Sequence, residues 1–157
     1  MDLLREGQKA LTRLHTSIYR LSGGRFGSRI GRVRLVLLTT TGRRSGRTRT
    51  TPLLGVPDGD RMILVASNGG APRHPDWYLN LTADPEVVVQ NGGTRRRMRA
   101  RTADADERAA LWPRAVAAWP GYDGYQRRAP REIPMVICEP GDHAAPPADE
   151  GAAAPDR

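Results

Sequence analysis

Apolar side chains recur at helical spacing over residues 3–20. Leu3, Leu4, Leu11, Leu14, Ile18 and Tyr19 fall on one stripe, and Arg5, Gln8, Lys9, Arg13 and Arg20 lie mostly elsewhere. This pattern predicts a basic amphipathic helix, ended by Ser22-Gly23-Gly24. Beyond a Gly/Arg-rich connection the period changes. Arg32–Thr40 reads as a buried strand around Leu35-Val36-Leu37-Leu38, and Thr48–Val56 and Arg61–Ser67 read as a hairpin. Pro57-Asp58-Gly59-Asp60 between them has the residue types of a tight turn. A Gly/Pro-rich loop, Asn68–Pro75, leads to a short helix over Trp77–Leu81 with Asp76 as its N-cap.

Glu86–Gln90 and Thr94–Thr102 form a second predicted hairpin, because Asn91-Gly92-Gly93 tolerates the positive φ such turns need. In its second strand Arg95, Arg97, Arg99 and Arg101 alternate with Arg96, Met98 and Ala100, which leaves one face charged and wet. Asp104 and Glu107 have the spacing of a capping box that opens a helix running to about Trp119, with Pro113 inside it as a possible kink. Ile133–Cys138 is the last strand, and Gly141–Arg157, rich in Ala, Pro and Asp, reads as a disordered tail. Six short strands with three or four helices predict an α+β fold, a mainly antiparallel barrel with helices packed around it.

Charge changes the picture locally. The 157 residues carry 25 Lys+Arg and 17 Asp+Glu, a net charge of +8. Residues 1–50 hold 12 basic and 2 acidic side chains, so the basicity belongs to the N-terminal third. No apolar run approaches the ~18 residues a membrane span needs. With one cysteine, Cys138, and no secretory-signal pattern, a reducing, cytoplasmic setting is expected. The basic region offers only Tyr19 and Phe26 as stacking platforms and contains no nucleic-acid-binding motif, which argues against a nucleic-acid partner. His15, His74 and His143 are scattered and show no metal-ligand spacing, so no metal is expected.

The densest chemistry lies in Thr39-Thr40-Thr41-Gly42-Arg43-Arg44-Ser45-Gly46-Arg47-Thr48-Arg49. Its glycines let backbone N–H groups approach a ligand, and its hydroxyls and planar arginine forks suit phosphate and carboxylate oxygens. This is either an anion cradle or a solvated basic turn. It is not a Walker A loop, since three residues separate Gly42 from Gly46 and Arg47 stands at the lysine position.

This segment, with Arg49, Pro52-Leu53, Ala66-Ser67-Asn68-Gly69-Gly70, Pro75, Trp77-Tyr78-Leu79-Asn80-Leu81 and Ile133-Pro134-Met135-Val136-Ile137-Cys138-Glu139-Pro140, resembles the deazaflavin-dependent nitroreductase family. These are actinobacterial oxidoreductases that use coenzyme F420. The resemblance runs in order from about residue 32 to 140 and implies a split β-barrel, related to pyridoxamine-oxidase folds, over residues 29–140. Residues 1–28 then form an N-terminal helix and connection, and 141–157 the tail.

F420 is a long polyanion with a phosphodiester, a glutamate tail and one flat apolar end. The family match implies that Arg43, Arg44, Ser45, Gly46 and Arg49 hold the charged end. Thr50, Thr51, Pro52, Leu53, Leu54, Val65, Ala66, Ser67, Asp76, Trp77, Tyr78, Leu79, Asn80 and Tyr122 would line the remainder, with Trp77 as apolar wall. For Trp77, Tyr78 and Leu81 the buried side of a short helix is an equal alternative. Ser67, Tyr122 and Tyr125 are the candidate catalytic donors, and Leu54, Ser67, Trp119, Tyr122 and Tyr125 the candidate substrate pocket. Leu54 and Trp119 replace tyrosines, and Thr51 an asparagine, of the nitroimidazole-activating member, so acceptor polarity is expected to differ.

The implied reaction moves a hydride from reduced F420 to a quinone, such as menaquinone, or to another conjugated carbonyl or nitro acceptor. A carrier or sensor that binds F420 without turnover is the alternative. The helix over residues 3–20 leaves two readings open: peripheral contact with the inner face of an anionic membrane, or packing on the barrel.

Overall fold

The computed structural model describes residues 29–30 and 33–141, so the N-terminal helix and the C-terminal tail expected above lie outside the described residues. The strands are β1 (Arg29–Ile30), β2 (Val33–Thr41), β3 (Thr48–Asp58), β4 (Arg61–Val65), β5 (Glu86–Asn91), β6 (Thr94–Thr102) and β7 (Met135–Pro140). The helices are α1 (Asp76–Ala83), α2 (Ala105–Ala118) and α3 (Gly121–Arg128). Every strand pairing is antiparallel, in the order β2-β3-β4-β7-β6-β5, and β5 returns to pair with β2. Six strands therefore close into a barrel with no free edge among them, and β1 adds a two-residue ladder to β2.

Alternation along each strand builds two cores. Val36 and Leu38 of β2, Met62 and Leu64 of β4, Met98 of β6 and Val136 of β7 fill the barrel interior, and Trp77 and Leu81 of α1 close one end of it. The intervening residues Ile63, Val65 and Ile137 face outward and are covered by Leu111 and Ala115 of α2 and Tyr122 of α3. Each fully buried Val or Leu contributes about 1.5–3 kcal/mol relative to exposure. Both layers are needed, because the barrel strands are apolar on both faces where the helices pack.

The capping box forms as predicted. Asp104 Oδ1 accepts the Glu107 N–H at 2.8 Å, and Glu107 Oε2 accepts the Asp104 N–H at 2.9 Å. Arg101 grips Glu107 with two hydrogen bonds and Glu139 with a third, so it stitches α2 to β6 and β7. Those bonds hold the Glu107 carboxyl down at about 2. Arg99 pairs with Glu86 at 2.8 Å, whereas Arg95, Arg96 and Arg97 stand exposed. The charged face of β6 is thus partly structural rather than wholly a wet surface.

Two local expectations need correction. Asp76 is the first residue of α1 and does not cap it; Pro75 occupies the cap, and the Asp76 carboxylate instead takes Arg43 Nη2 at 3.3 Å. The final strand starts at Met135, because Ile133 is tied to α2 and α3 through Arg108 and Gln126, and Pro134 has no N–H to pair. Residues 121–128 form a further helix despite Gly121 and Gly124, which disfavour one locally. Burial of Tyr122 against the barrel, rather than local propensity, holds it.

Cys138 lies in the barrel interior, and burial pushes its thiol up to about 12. Iodoacetamide is expected to leave Cys138 unmodified in the native protein at pH 8 and to label it fully in denaturant. Labelling at the same rate in both conditions would contradict a closed barrel.

Candidate functional site

The β2–β3 connection, the loop after β4 and helix α1 all meet at one end of the barrel. The connection is shaped by its own backbone: the Gly42 N–H donates to Arg47 O at 2.7 Å, and the Gly46 N–H to Gly42 O at 2.8 Å. A Cβ on Gly42 would sit 2.7 Å from Ser45 Oγ, and Gly46 has φ +68, so neither position takes a larger residue without strain. Ser45 Oγ accepts the Arg47 N–H at 3.2 Å, which leaves its own proton free to donate.

Asn80 anchors this loop to α1. It is buried, its Nδ2 donates to Thr40 Oγ1 at 3.3 Å, and its Oδ1 accepts both the backbone N–H of Arg43 (3.2 Å) and Arg43 Nη1 (3.0 Å). Arg43 also pairs with Asp76. Arg43 is therefore a strut. Arg44, Arg47 and Arg49 are exposed and, among the described residues, have no carboxylate partner, so they form the open cationic surface of the loop. A loop with three uncommitted guanidinium groups, a free hydroxyl proton and two glycines has the donor set a phosphodiester or carboxylate chain requires.

The segment from Thr50 to Leu54 does not share one face. Leu53 packs on the barrel interior, and by register Thr51 lies on the same face opposite Leu38. Thr50, Pro52 and Leu54 face outward, and Thr50 Oγ1 meets Thr39 Oγ1 at 2.9 Å. Ala66 and Trp77 belong to the interior core, whereas Val65 faces out. Tyr78 is half-buried and its hydroxyl pairs with Thr102 Oγ1 at 3.0 Å; Leu79 is half-buried beside it.

The outward face gathers the aromatic candidates. Leu54, Trp119, Tyr122 and Tyr125 join Val65 in the outer core. Tyr122 is only 5% exposed, stands edge-on to Tyr125 at 6.2 Å, and burial raises its phenol to about 12, so it stays protonated across the working pH range. Tyr125 is half-buried, with the Arg128 guanidinium 5.3 Å over its ring. Ser67 sits just past β4, half-buried, and leads into the turn Asn68–Gly70. Gly70 has φ +83, and a Cβ there would lie 2.7 Å from Tyr125 O, so the Ser67 turn and helix α3 are in direct contact.

One residue of this region gives no signal in the sequence. Arg131 donates to the carbonyls of Ala66, Ser67, Ala71 and Arg73, and to His74 Nδ1. A single arginine in an irregular segment has neither period nor motif spacing, and its role exists only in three dimensions.

A six-stranded closed antiparallel barrel with a cationic loop at its strand ends and an aromatic-covered outer face is of the split-barrel class. Residues 11–140 match the family model described as F420H(2)-dependent quinone reductase. An F420H(2)-dependent quinone reductase of Mycobacterium tuberculosis is 41% identical over 131 residues, covering 81% of this chain and 88% of that one. A solved F420-H2 dependent reductase (FDR-A) superposes with a TM-score of 0.63 at 43% identity, covering 67% of this chain and 93% of the other. A second solved structure, described as a domain-swapped dimer, has a TM-score of 0.65 at 36% identity, covering 88% and 98%. The chain belongs to the F420H(2)-dependent quinone reductase family. It is an oxidoreductase, and reduced F420 is its hydride donor.

Proposed function

We propose that this chain carries out quinone reduction with Arg44, Arg47, Ser45 and Arg49 holding the charged end of F420, and Ser67 and Tyr125 facing the acceptor. The observation that carries this reading is that the open arginine loop and the Ser67 turn, whose Gly70 abuts the Tyr125 backbone of α3, lie at the same end of the barrel. When bound there, reduced F420 would supply the hydride. The residues do the rest. The arginines supply binding energy remote from the reacting atoms, which orients the flat end without touching it. Leu54, Val65 and Trp119 form an apolar wall that excludes water. The Ser67 hydroxyl donates a hydrogen bond to the acceptor oxygen as negative charge develops there, and the Tyr125 hydroxyl is a second donor. Tyr122, buried behind Tyr125, braces it. Arg43 and Asn80 shape the loop and do not need to touch the cofactor.

We favour a lipid-soluble quinone such as menaquinone as the acceptor, met at the inner face of an anionic membrane through residues 3–20; the basic amphipathic pattern of that segment supports this. Two steps test the whole reading. Titration with F420 is expected to quench cofactor fluorescence saturably, and menadione is expected to reoxidise the reduced complex. Absence of binding would remove the reading, and binding without oxidation would identify a carrier instead.

A further inference from the structure

The loop that carries Ser67 is held by a side chain some sixty positions away. Arg131 lies between α3 and β7. Its Nη2 reaches the carbonyls of Ala66 (3.3 Å), Ser67 (3.2 Å) and Arg73 (3.2 Å), its Nε reaches Ala71 O (3.1 Å), and its Nη1 reaches His74 Nδ1 (3.0 Å). Arg131 is itself fixed, since its carbonyl accepts Gln126 Nε2 at 2.8 Å and Gln126 Oε1 accepts the Ile133 N–H and Arg108 Nη2. Burial, followed by the Arg131 charge, lowers the His74 pKa, so the ring is neutral at neutral pH and offers Nδ1 as an acceptor.

The arrangement is more demanding than stability alone requires. Among the described residues Arg131 has no carboxylate partner, and a partly buried cation without a counter-charge carries a desolvation penalty. Its five contacts instead converge on residues 66–74, a segment with no strand or α-helix, in which Asn68 holds φ +46. Only the planar guanidinium fork supplies donors in so many fixed directions; a lysine ammonium cannot.

We propose that Arg131 is a positioning residue for hydride transfer, which sets the place of the Ser67 hydroxyl by clamping the 66–74 loop against the start of β7. The proposal rests on the reading of Ser67 as the donor to the acceptor oxygen. Its basis is geometric: two of the five contacts are the carbonyls on either side of the Ser67 Cα, so the clamp fixes the backbone from which that side chain projects.

The test uses the full chain, F420 and menadione. With cofactor saturating, Arg131→Ala is expected to slow F420H2 oxidation about 100-fold, as an ångström-scale misplacement does, while F420 affinity changes less than about threefold. A surface cleft of about 600 Å³, lined by Trp112, Gln126, Ala129 and Pro130, opens onto Arg131, so added methylguanidinium should restore part of the rate saturably. Arg131→Lys keeps the charge and stem but not the fork, and is expected to remain slow. Ser67→Ala should slow the native enzyme about tenfold or more and add nothing in Arg131→Ala. A slow Ser67→Ala beside a folded Arg131→Lys at the native rate would overturn the clamp. A native rate in Ser67→Ala would overturn the reading of Ser67 itself, and additive losses in the double variant would show that Arg131 acts elsewhere.

Discussion

Replacing Asn80 with leucine is expected to weaken F420 binding at least about tenfold and to cost about 1–3 kcal/mol of stability. The side chain keeps the same branched heavy-atom skeleton, so the change chiefly removes hydrogen bonding. Three partners lose their counterpart at once: the Thr40 hydroxyl, the Arg43 backbone N–H and one arm of the Arg43 guanidinium. Thr40 is itself buried, so its hydroxyl has no ready access to water. Among the described residues Arg43 would then be held by the exposed Asp76 alone, a surface pair worth little. The loop that presents Arg44, Arg47 and Arg49 would lose its fixed position, and ordering it would have to be repaid on binding. Fluorescence titration of F420 together with urea denaturation measures both effects. An Arg44→Ala, Arg49→Ala variant should separate them, weakening F420 without altering the denaturation midpoint, because both side chains are exposed and, among the described residues, make no ion pair. If Asn80→Leu destabilises the fold but binds F420 normally, the loop needs no anchor.

The contrast between Asn80 and Arg131 shows what a linear chain can and cannot convey. Alternation of Met98 and Ala100 with Arg97 and Arg99 marks a strand directly, because burial on one face imposes a period of two, and the unbroken apolar run Leu35–Leu38 marks a strand buried on both faces. The Asp104–Glu107 spacing marks a helix start, because the cap is made within one turn. The anion loop is also local, and its glycines and arginines are adjacent in the chain. Strand order is different: β7 enters between β4 and β6, and nothing near Met135 announces either neighbour. Helix α3 is suppressed locally by Gly121 and Gly124 and exists because Tyr122 finds a core. Asp76 has the residue type of a cap, but Arg43, more than thirty positions earlier, claims its carboxylate. Long-range polar contacts of this kind have no period, and they are what position Ser67 and Arg43.

Trp77→Ala is expected to be among the most destabilising single changes, about 3–5 kcal/mol out of the 5–15 typical of a whole domain. The sequence leaves Trp77 either as the buried side of a short helix or as a wall beside the cofactor. Its side chain is 7% exposed and lies in the barrel interior with Leu38, Leu64 and Val136. Together with Leu81 it forms the apolar plug between α1 and the strands, and its ring meets Tyr78 edge-on at 6.3 Å. Removing the indole leaves a void at the barrel end that six hydrogen-bonded strands cannot close by collapsing. The same helix carries Asn80, so loosening α1 should also release the arginine loop, and F420 affinity should fall along with stability. Trp77→Phe separates the two readings. It fills most of the void, so the plug predicts a loss of about 1–2 kcal/mol with near-native F420 affinity once the protein is folded. A cofactor wall predicts the reverse, an unchanged denaturation midpoint with weakened binding, because the indole would then spend its area on the deazaflavin rather than on the core.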